Sequence, residues 1–294
     1  MKALYGSKRK ALTLFALLVT PVLLLRLATA AYPICRTIWL SMTDTHLFDS
    51  EHSFVGMENF RLLFTDPAFL MILSFSIVFI IISTILELVF GLLIASLLNC
   101  SFKGRFLART INLIPWVIPT IVAAYAFQWL LDEQFGMFSH WISDIFDVSP
   151  AVLNTALGAR ITLILVNVWK NSSFMAIIFL AGLQGVPEEF YEAARVDGAG
   201  PVRRFFTITL PMLMPLMITM GMYFLIWQLA NFDLVYGLTR GGPGIATTIL
   251  PLNVYHEGLI FFKFGYGSAV SVILMLIVSA LGLFGMLQFK KWSY

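Results

Sequence analysis

The polar residues inside the apolar stretches of this 294-residue chain fall into short groups with helical spacing. Asn167, Lys170, Asn171 and Phe174 follow i, i+3, i+4, i+7, which puts them on one face of a helix. Trp227, Gln228 and Asn231 form a second one-face set. Another apolar run offers Trp116, Thr120 and, further on, Gln128. Aromatic planes beside amides suit a ligand with apolar C–H faces and many hydroxyls, as a carbohydrate has. The same residues also fit a packing role, because interior polar groups join helices by hydrogen bonds. Lys170 adds a cation. Beside a pathway it favours phosphate, sulfonate or carboxylate; otherwise it snorkels to an interface or pairs with Glu87. Arg26 is a second cation within an apolar run, with the bundle interior as its expected place and no partner identified.

Other chemistry is missing from the sequence. It has no G-x-x-x-x-G-K-[ST] phosphate loop, no H-E-x-x-H metal motif, and no Ser or Cys nucleophile beside a plausible base. The chain therefore carries no energy-coupling chemistry of its own, and no metal or cofactor is expected in it.

The elements that hold these groups follow from composition. The chain is 59% hydrophobic and 12% charged, whereas about a quarter of residues are charged in soluble domains. Six apolar runs reach the length of roughly 20 residues that spans a bilayer. They cover about 12–34, 69–98, 107–131, 161–183, 211–230 and 268–289. Each must be helical, because a bilayer leaves exposed backbone groups unsatisfied. The reading is an all-α membrane protein forming a single transmembrane domain over 1–294.

Charge orients it. The N-terminus (Lys2, Lys8, Arg9, Lys10), the second loop (Lys103, Arg105, Arg109), the fourth loop (Arg195, Arg203, Arg204) and the tail (Lys290, Lys291) hold 12 of the 19 Lys and Arg. All fall on one side of a six-span arrangement, so both termini and the loop 186–211 are expected to be cytoplasmic. The net charge of +3 thus reflects topology and implies no nucleic-acid partner. Residues 1–31 also read as a signal peptide with Ala28-Thr29-Ala30 as a cleavage site, but Arg26 and the length of the run favour an uncleaved first span. Cys35 and Cys100 fall at opposite ends of spans and cannot pair. The outer loops cover 41–67, which is acidic, 132–158, with a short interfacial helix at His140–Phe146, and 231–266.

The cytoplasmic loop reads as two short helices. Pro187 suits a first helical position, and Glu188 and Glu189 complement the helix dipole. Ala193 and Ala194 leave a small-side-chain patch, Gly198 ends the helix, and Pro201 starts a second one before Leu210 and Pro211 enter span 5. Locally this fits either a docking element or a solvated connector.

The spacing of that loop resembles a known family. Glu192-Ala193-Ala194, three residues, Gly198, nine residues, then Ile208-x-Leu210-Pro211 is similar to the E-A-A loop of bacterial ABC importer permeases. Phe54-Val55-Gly56-Met57-Glu58-Asn59-Phe60, Pro115-Trp116-Val117-Ile118-Pro119 and Leu238-Thr239-Arg240-Gly241-Gly242-Pro243 resemble stretches of the maltose/glycerol-3-phosphate type, within it the first of two non-identical permeases. The maltose-type subunit has eight spans and a large periplasmic insertion; six spans without it point to the glycerol-3-phosphate or general sugar branch. The resemblance implies an ABC importer type I permease fold in a bacterial inner membrane, with substrate passed by alternating access. It implies a second homologous permease, an ATPase subunit dimer that carries the ATP and Mg, and a periplasmic solute-binding protein met by the outer loops, particularly 231–266. It assigns coupling to Tyr191, Glu192, Ala193, Ala194, Asp197, Gly198, Leu210 and Pro211. It assigns substrate contact to the three spans that carry Trp116 and Thr120, then Asn167, Lys170, Asn171 and Phe174, then Trp227, Gln228 and Asn231. A secondary transporter would need several intramembrane carboxylates and an internal repeat, and only Glu87 qualifies. A membrane enzyme or sensor would need a nucleophile, a metal cluster or an output domain, and none is found.

Overall fold

Proline placement and capping chemistry set where the helices of this chain begin and end. The computed structural model describes residues 2–48, 52–147 and 151–292; Asp49 and Glu51 of the acidic first outer loop lie outside the described residues. Helix α1 (Lys2–Ser41) runs well beyond both ends of the expected 12–34. Its last carbonyls are met from outside: Asn59 Nδ2 donates to the backbone oxygens of Ser41 (2.9 Å) and Thr43 (2.8 Å). Asn59 lies on α2 (Glu58–Thr65). Asp66 then caps α3 (Pro67–Asn99), accepting from Ala68 N at 2.9 Å with proline in the first turn.

The expected third span, 107–131, is corrected to two helices, α4 (Arg105–Val117) and α5 (Thr120–Leu130), bent by 90° at a short break. Pro119 has no N–H to continue the ladder and holds Ile118 extended (φ −63°, ψ 129°). A short helix, α6 (Met137–Phe146), covers the expected His140–Phe146. Helix α7 (Ala156–Gln184) follows, with Thr155 accepting from Gly158 N at 3.1 Å. After α8 (Glu188–Val196) come α9 (Pro201–Arg204), a π turn over Phe205–Thr209, and α10 (Leu210–Gln228). These last three form one continuous helix, Pro201–Gln228, which corrects the division between a second cytoplasmic helix and span 5. The wide turn, closed by Leu210 N–H to Phe205 O, admits the Pro211 ring without ending the helix. The chain ends with α11 (Phe232–Leu238), α12 (Leu250–Tyr255) and α13 (Phe264–Trp292).

Five of these helices are long and apolar enough to cross a membrane, or six spans if the bent pair counts as one. Among the described residues no strand forms, only the isolated bridge Thr43–Phe54. Helix α7 is the axis: 72% of its apolar window is buried against 39% for α3 and 22% or less for the others. Gly91 lets α3 lie directly on α7, since a Cβ there would stand 2.6 Å from Met175 Cγ and 2.7 Å from Met175 Cβ. Two apolar clusters flank this contact, one built on Phe79, Leu163 and Leu234, the other on Leu92, Met175 and Leu213.

Two expectations change in this packing. The third outer loop, 231–266, is not an external segment throughout: α11 and α12 place Leu234, Val235, Leu238, Leu250 and Leu252 at 0–1% exposure. Arg26 does not enter the bundle interior, because the most apolar 18-residue stretch of Thr13–Ser41 has no buried residue and Arg26 itself is exposed. That helix turns an apolar face outward from this chain.

Candidate functional site

Three helices present a row of aromatic rings. Trp116 of α4 stacks on Phe174 of α7, with centroids 4.6 Å apart and planes 13° from parallel. Phe174 meets Phe224 of α10 at 6.4 Å, Phe224 meets Tyr223 at 5.5 Å, and Tyr223 lies over Trp227 at 5.9 Å. Trp116, Tyr223 and Trp227 are 44%, 48% and 56% exposed, so the row forms an open wall. Thr120 sits half-buried just past the break between α4 and α5.

Behind the wall lies a buried polar network. Glu87 Oε1 accepts from Asn167 Nδ2 (3.0 Å), Asn171 Nδ2 (2.9 Å) and Gln228 Nε2 (2.7 Å). Asn231 Nδ2 donates to Asn167 Oδ1 at 2.8 Å and to Gln228 Oε1 at 3.1 Å, and Asn171 Nδ2 reaches Asn167 Oδ1 at 3.1 Å. Glu87 and Gln228 are wholly buried, and Asn167 and Asn171 are 1% and 6% exposed. A carboxyl group is tolerated inside a bundle when donors converge on it, as here from two neighbouring helices. In this structure the amides of Asn167, Asn171 and Gln228 face each other and Glu87, while Asn231, half-buried, stands at the edge. Their shared helical face is real, but it turns inward. Glu87 is the hub that spacing did not reveal; its one sequence signal was a lone carboxylate in an apolar run.

Lys170 is also redirected. Its Nζ donates to the backbone oxygens of Pro115 (3.2 Å), Trp116 (3.1 Å) and Ile118. It neither pairs with Glu87 nor snorkels, and its ammonium is turned to the C-terminal end of α4. Gln128, further along α5, lines a polar cavity of about 690 Å³ with Asp132, Asn154 and Arg240.

The second site is α8, which has no buried residue. Tyr191 Oη hydrogen-bonds Thr209 Oγ1 at 3.0 Å, which fixes α8 against the helix that continues into α10. Its end is a Schellman turn: Ala199 N donates to Ala194 O at 2.9 Å, Gly198 N to Arg195 O at 3.1 Å, and Gly198 is left-handed at φ +72°. Glu192, Ala193, Asp197 and Gly198 are exposed, Ala194 is half-buried, and Val196 is 88% exposed. Glu188 and Arg195 pair along the outer side. Leu210 and Pro211 lie past the π turn, half-buried and exposed respectively, away from the Schellman turn. The loop thus brings together the six positions 191–194, 197 and 198 and leaves the Leu-Pro pair to shape the next helix.

Comparison with known proteins gives a consistent picture. Residues 87–290 match the family described as binding-protein-dependent transport system inner membrane component. The chain is 37% identical over 266 residues to the trehalose/maltose transport system permease protein MalF of Thermococcus litoralis, covering 89% of this chain and 88% of that protein. It is 35% identical over 262 residues to the sulfoquinovosyl glycerol transport system permease protein SmoG of Agrobacterium fabrum, covering 89% and 85%. In overall fold it resembles a chain of a bacterial ABC transporter involved in the import of the acidic polysaccharide alginate, with a TM-score of 0.82 at 22% identity, over 99% of this chain and 100% of the other.

Proposed function

This chain belongs to the binding-protein-dependent transport system inner membrane components, and we propose that it is one of two different permease subunits of an ATP-driven importer for a sugar or sugar derivative. It is a multi-pass membrane protein with the ABC importer type I permease fold, and as a permease subunit it supplies transport and not catalysis. The observation that carries the substrate class is the open aromatic row from Trp116 through Phe174 and Tyr223 to Trp227. Flat rings spaced along three helices offer successive C–H stacking surfaces to a sugar without committing to any hydroxyl pattern. Thr120 and Asn231 flank the row and supply hydrogen bonds, while Asn167, Asn171, Gln228 and Glu87 hold its backing rigid.

The rest of the assignment follows from α8 and the exposed face of α1. An unburied helix with a fixed end, tied through Tyr191 to the π turn that leads into α10, is suited to seat in a groove of a separate ATPase dimer. Its working residues are Tyr191, Glu192, Ala193, Ala194, Asp197 and Gly198, with Leu210 and Pro211 setting the path into α10. ATP and Mg belong to that partner. The apolar outward face of α1 and the open aromatic wall call for a second permease, and the outer segments call for a periplasmic solute-binding protein. The whole chain works as a single membrane domain in a bacterial inner membrane with both termini cytoplasmic.

Purification of the tagged chain with its genetic neighbours, followed by binding of neutral and anionic sugars to the partner solute-binding protein, tests this reading. An ATPase and a second permease should co-purify, and at least one sugar or sugar derivative should bind. A chain that purifies without an ATPase, or a binding protein selective for amino acids or peptides, would refute it.

A further inference from the structure

The 90° break between α4 and α5 leaves carbonyls at the end of α4 that neither helix can satisfy. Ile114 O takes the N–H of Ile118 at 3.3 Å. The oxygens of Pro115, Trp116 and Ile118 converge instead on Lys170 Nζ, an ammonium with three donors. A cation at the C-terminal end of a helix also answers the negative end of its dipole. One turn further along α7, Phe174 stacks on the Trp116 ring. A third tie runs the other way, from Asn112 Nδ2 of α4 to Ser173 O of α7 at 2.9 Å. Trp116 is thus held by α7 at both its backbone and its ring.

We propose that Lys170 is a positioning residue, not a substrate cation: it caps the broken third span, fixes Trp116 in the translocation wall and makes that wall move with α7. The inference rests on the translocation reading of the aromatic row. Helix α7 ends at Gln184 and α8 begins at Glu188, so the helix that docks on the ATPase is joined by three residues to the helix that holds Trp116. Movement imposed at α8 is carried along α7 to the Lys170 cap and through it to the break. Discrimination between charged and neutral sugars then does not depend on Lys170, because its donors are taken by the backbone.

Hydrogen–deuterium exchange on the assembled importer in nanodiscs tests the cap independently of what is carried. Lys170→Met should speed exchange in the segment 111–124 by about tenfold, since its opening no longer breaks the cap, with the segment 67–99 unchanged. Lys170→Arg, which retains donors and charge, should stay within about threefold of the parent. Exchange in 111–124 that is unchanged in Lys170→Met overturns the proposal. Uptake of radiolabelled maltose and sn-glycerol 3-phosphate by the same complexes supplies the second arm. For whichever probe is carried, Trp116→Ala combined with Lys170→Met should be no more than about twofold worse than Trp116→Ala alone, because the two losses share one cause. Multiplying losses, or a Lys170→Met defect confined to the anionic probe, also overturns it. If the parent complex carries neither probe, the sugar bound by the partner solute-binding protein replaces them in the uptake arm, and the exchange result still decides the cap.

Discussion

Glu87 shows what a single side chain does in this bundle. Three amide N–H groups from α7 and α10 meet one of its oxygens, which ties α3 to both helices. Glu87→Leu strands those buried donors, at a cost of about 1–3 kcal/mol for each that finds no other acceptor. Glu87→Gln keeps an acceptor oxygen of the same shape. Thermal unfolding of the purified chain in detergent should therefore show a large loss of stability for the leucine variant and a small one for glutamine. Equal losses would mean that the network is incidental to packing. The sequence made the amides visible as one-face sets but not their direction. A helical face has no sign until the rotation of its neighbours is known, and that rotation is set by packing such as Met175 against Gly91. Hence the aromatic members of each set remained on the open wall while the amides turned inward.

At the scale of elements, the recurring device is a helix end satisfied from elsewhere. Asn59 meets the end of α1, Arg109 Nη2 donates to Leu98 O at 3.1 Å near the end of α3, and Lys170 meets the end of α4. Such ends are legible only in part. Pro119 signals that the third span breaks, yet the apolar run across it reads as one span, and the donor that makes the break tolerable lies more than fifty residues away. The end of α8 is different, because its Schellman turn is local and Gly198 announces it. Gly198 is left-handed at φ +72°, and a Cβ built there meets no atom within 4 Å. The intrinsic cost of a side chain is thus the left-handed backbone, about 1 kcal/mol and less for asparagine. Gly198→Asn should fold and insert normally but lose ATPase co-purification, as Gly198→Asp should, if the turn seats closely in a partner. Normal assembly and uptake in both variants would remove the coupling role. Gly91 makes the opposite prediction, since its surroundings are closed. Gly91→Ala should destabilise the chain by about 1–3 kcal/mol through overpacking, and Met175→Ala in the same chain should restore most of that, as read by thermal unfolding.

At the scale of the whole molecule, what the fold leaves open is its orientation, and the chain holds its own reporters. Twelve of its 19 Lys and Arg lie in the four segments assigned to the cytoplasm, and such a bias in short loops sets which way the spans insert. Cys35 and Cys100 are both free and exposed. Cys35 lies near the end of α1 opposite its basic start, and Cys100 immediately follows α3, beside Lys103 and Arg105. The two thiols therefore stand at opposite membrane surfaces if α1 and α3 cross as the charges dictate. In right-side-out spheroplasts, a membrane-impermeant maleimide should label the Cys100→Ser variant, through Cys35, and spare the Cys35→Ser variant until the membrane is permeabilised. The reverse pattern would place α8 outside, away from any ATP, and would sink the coupling assignment along with the orientation. Labelling of both variants from outside would mean that α3 does not end at the cytoplasmic surface, which would undo the span order on which the rest depends.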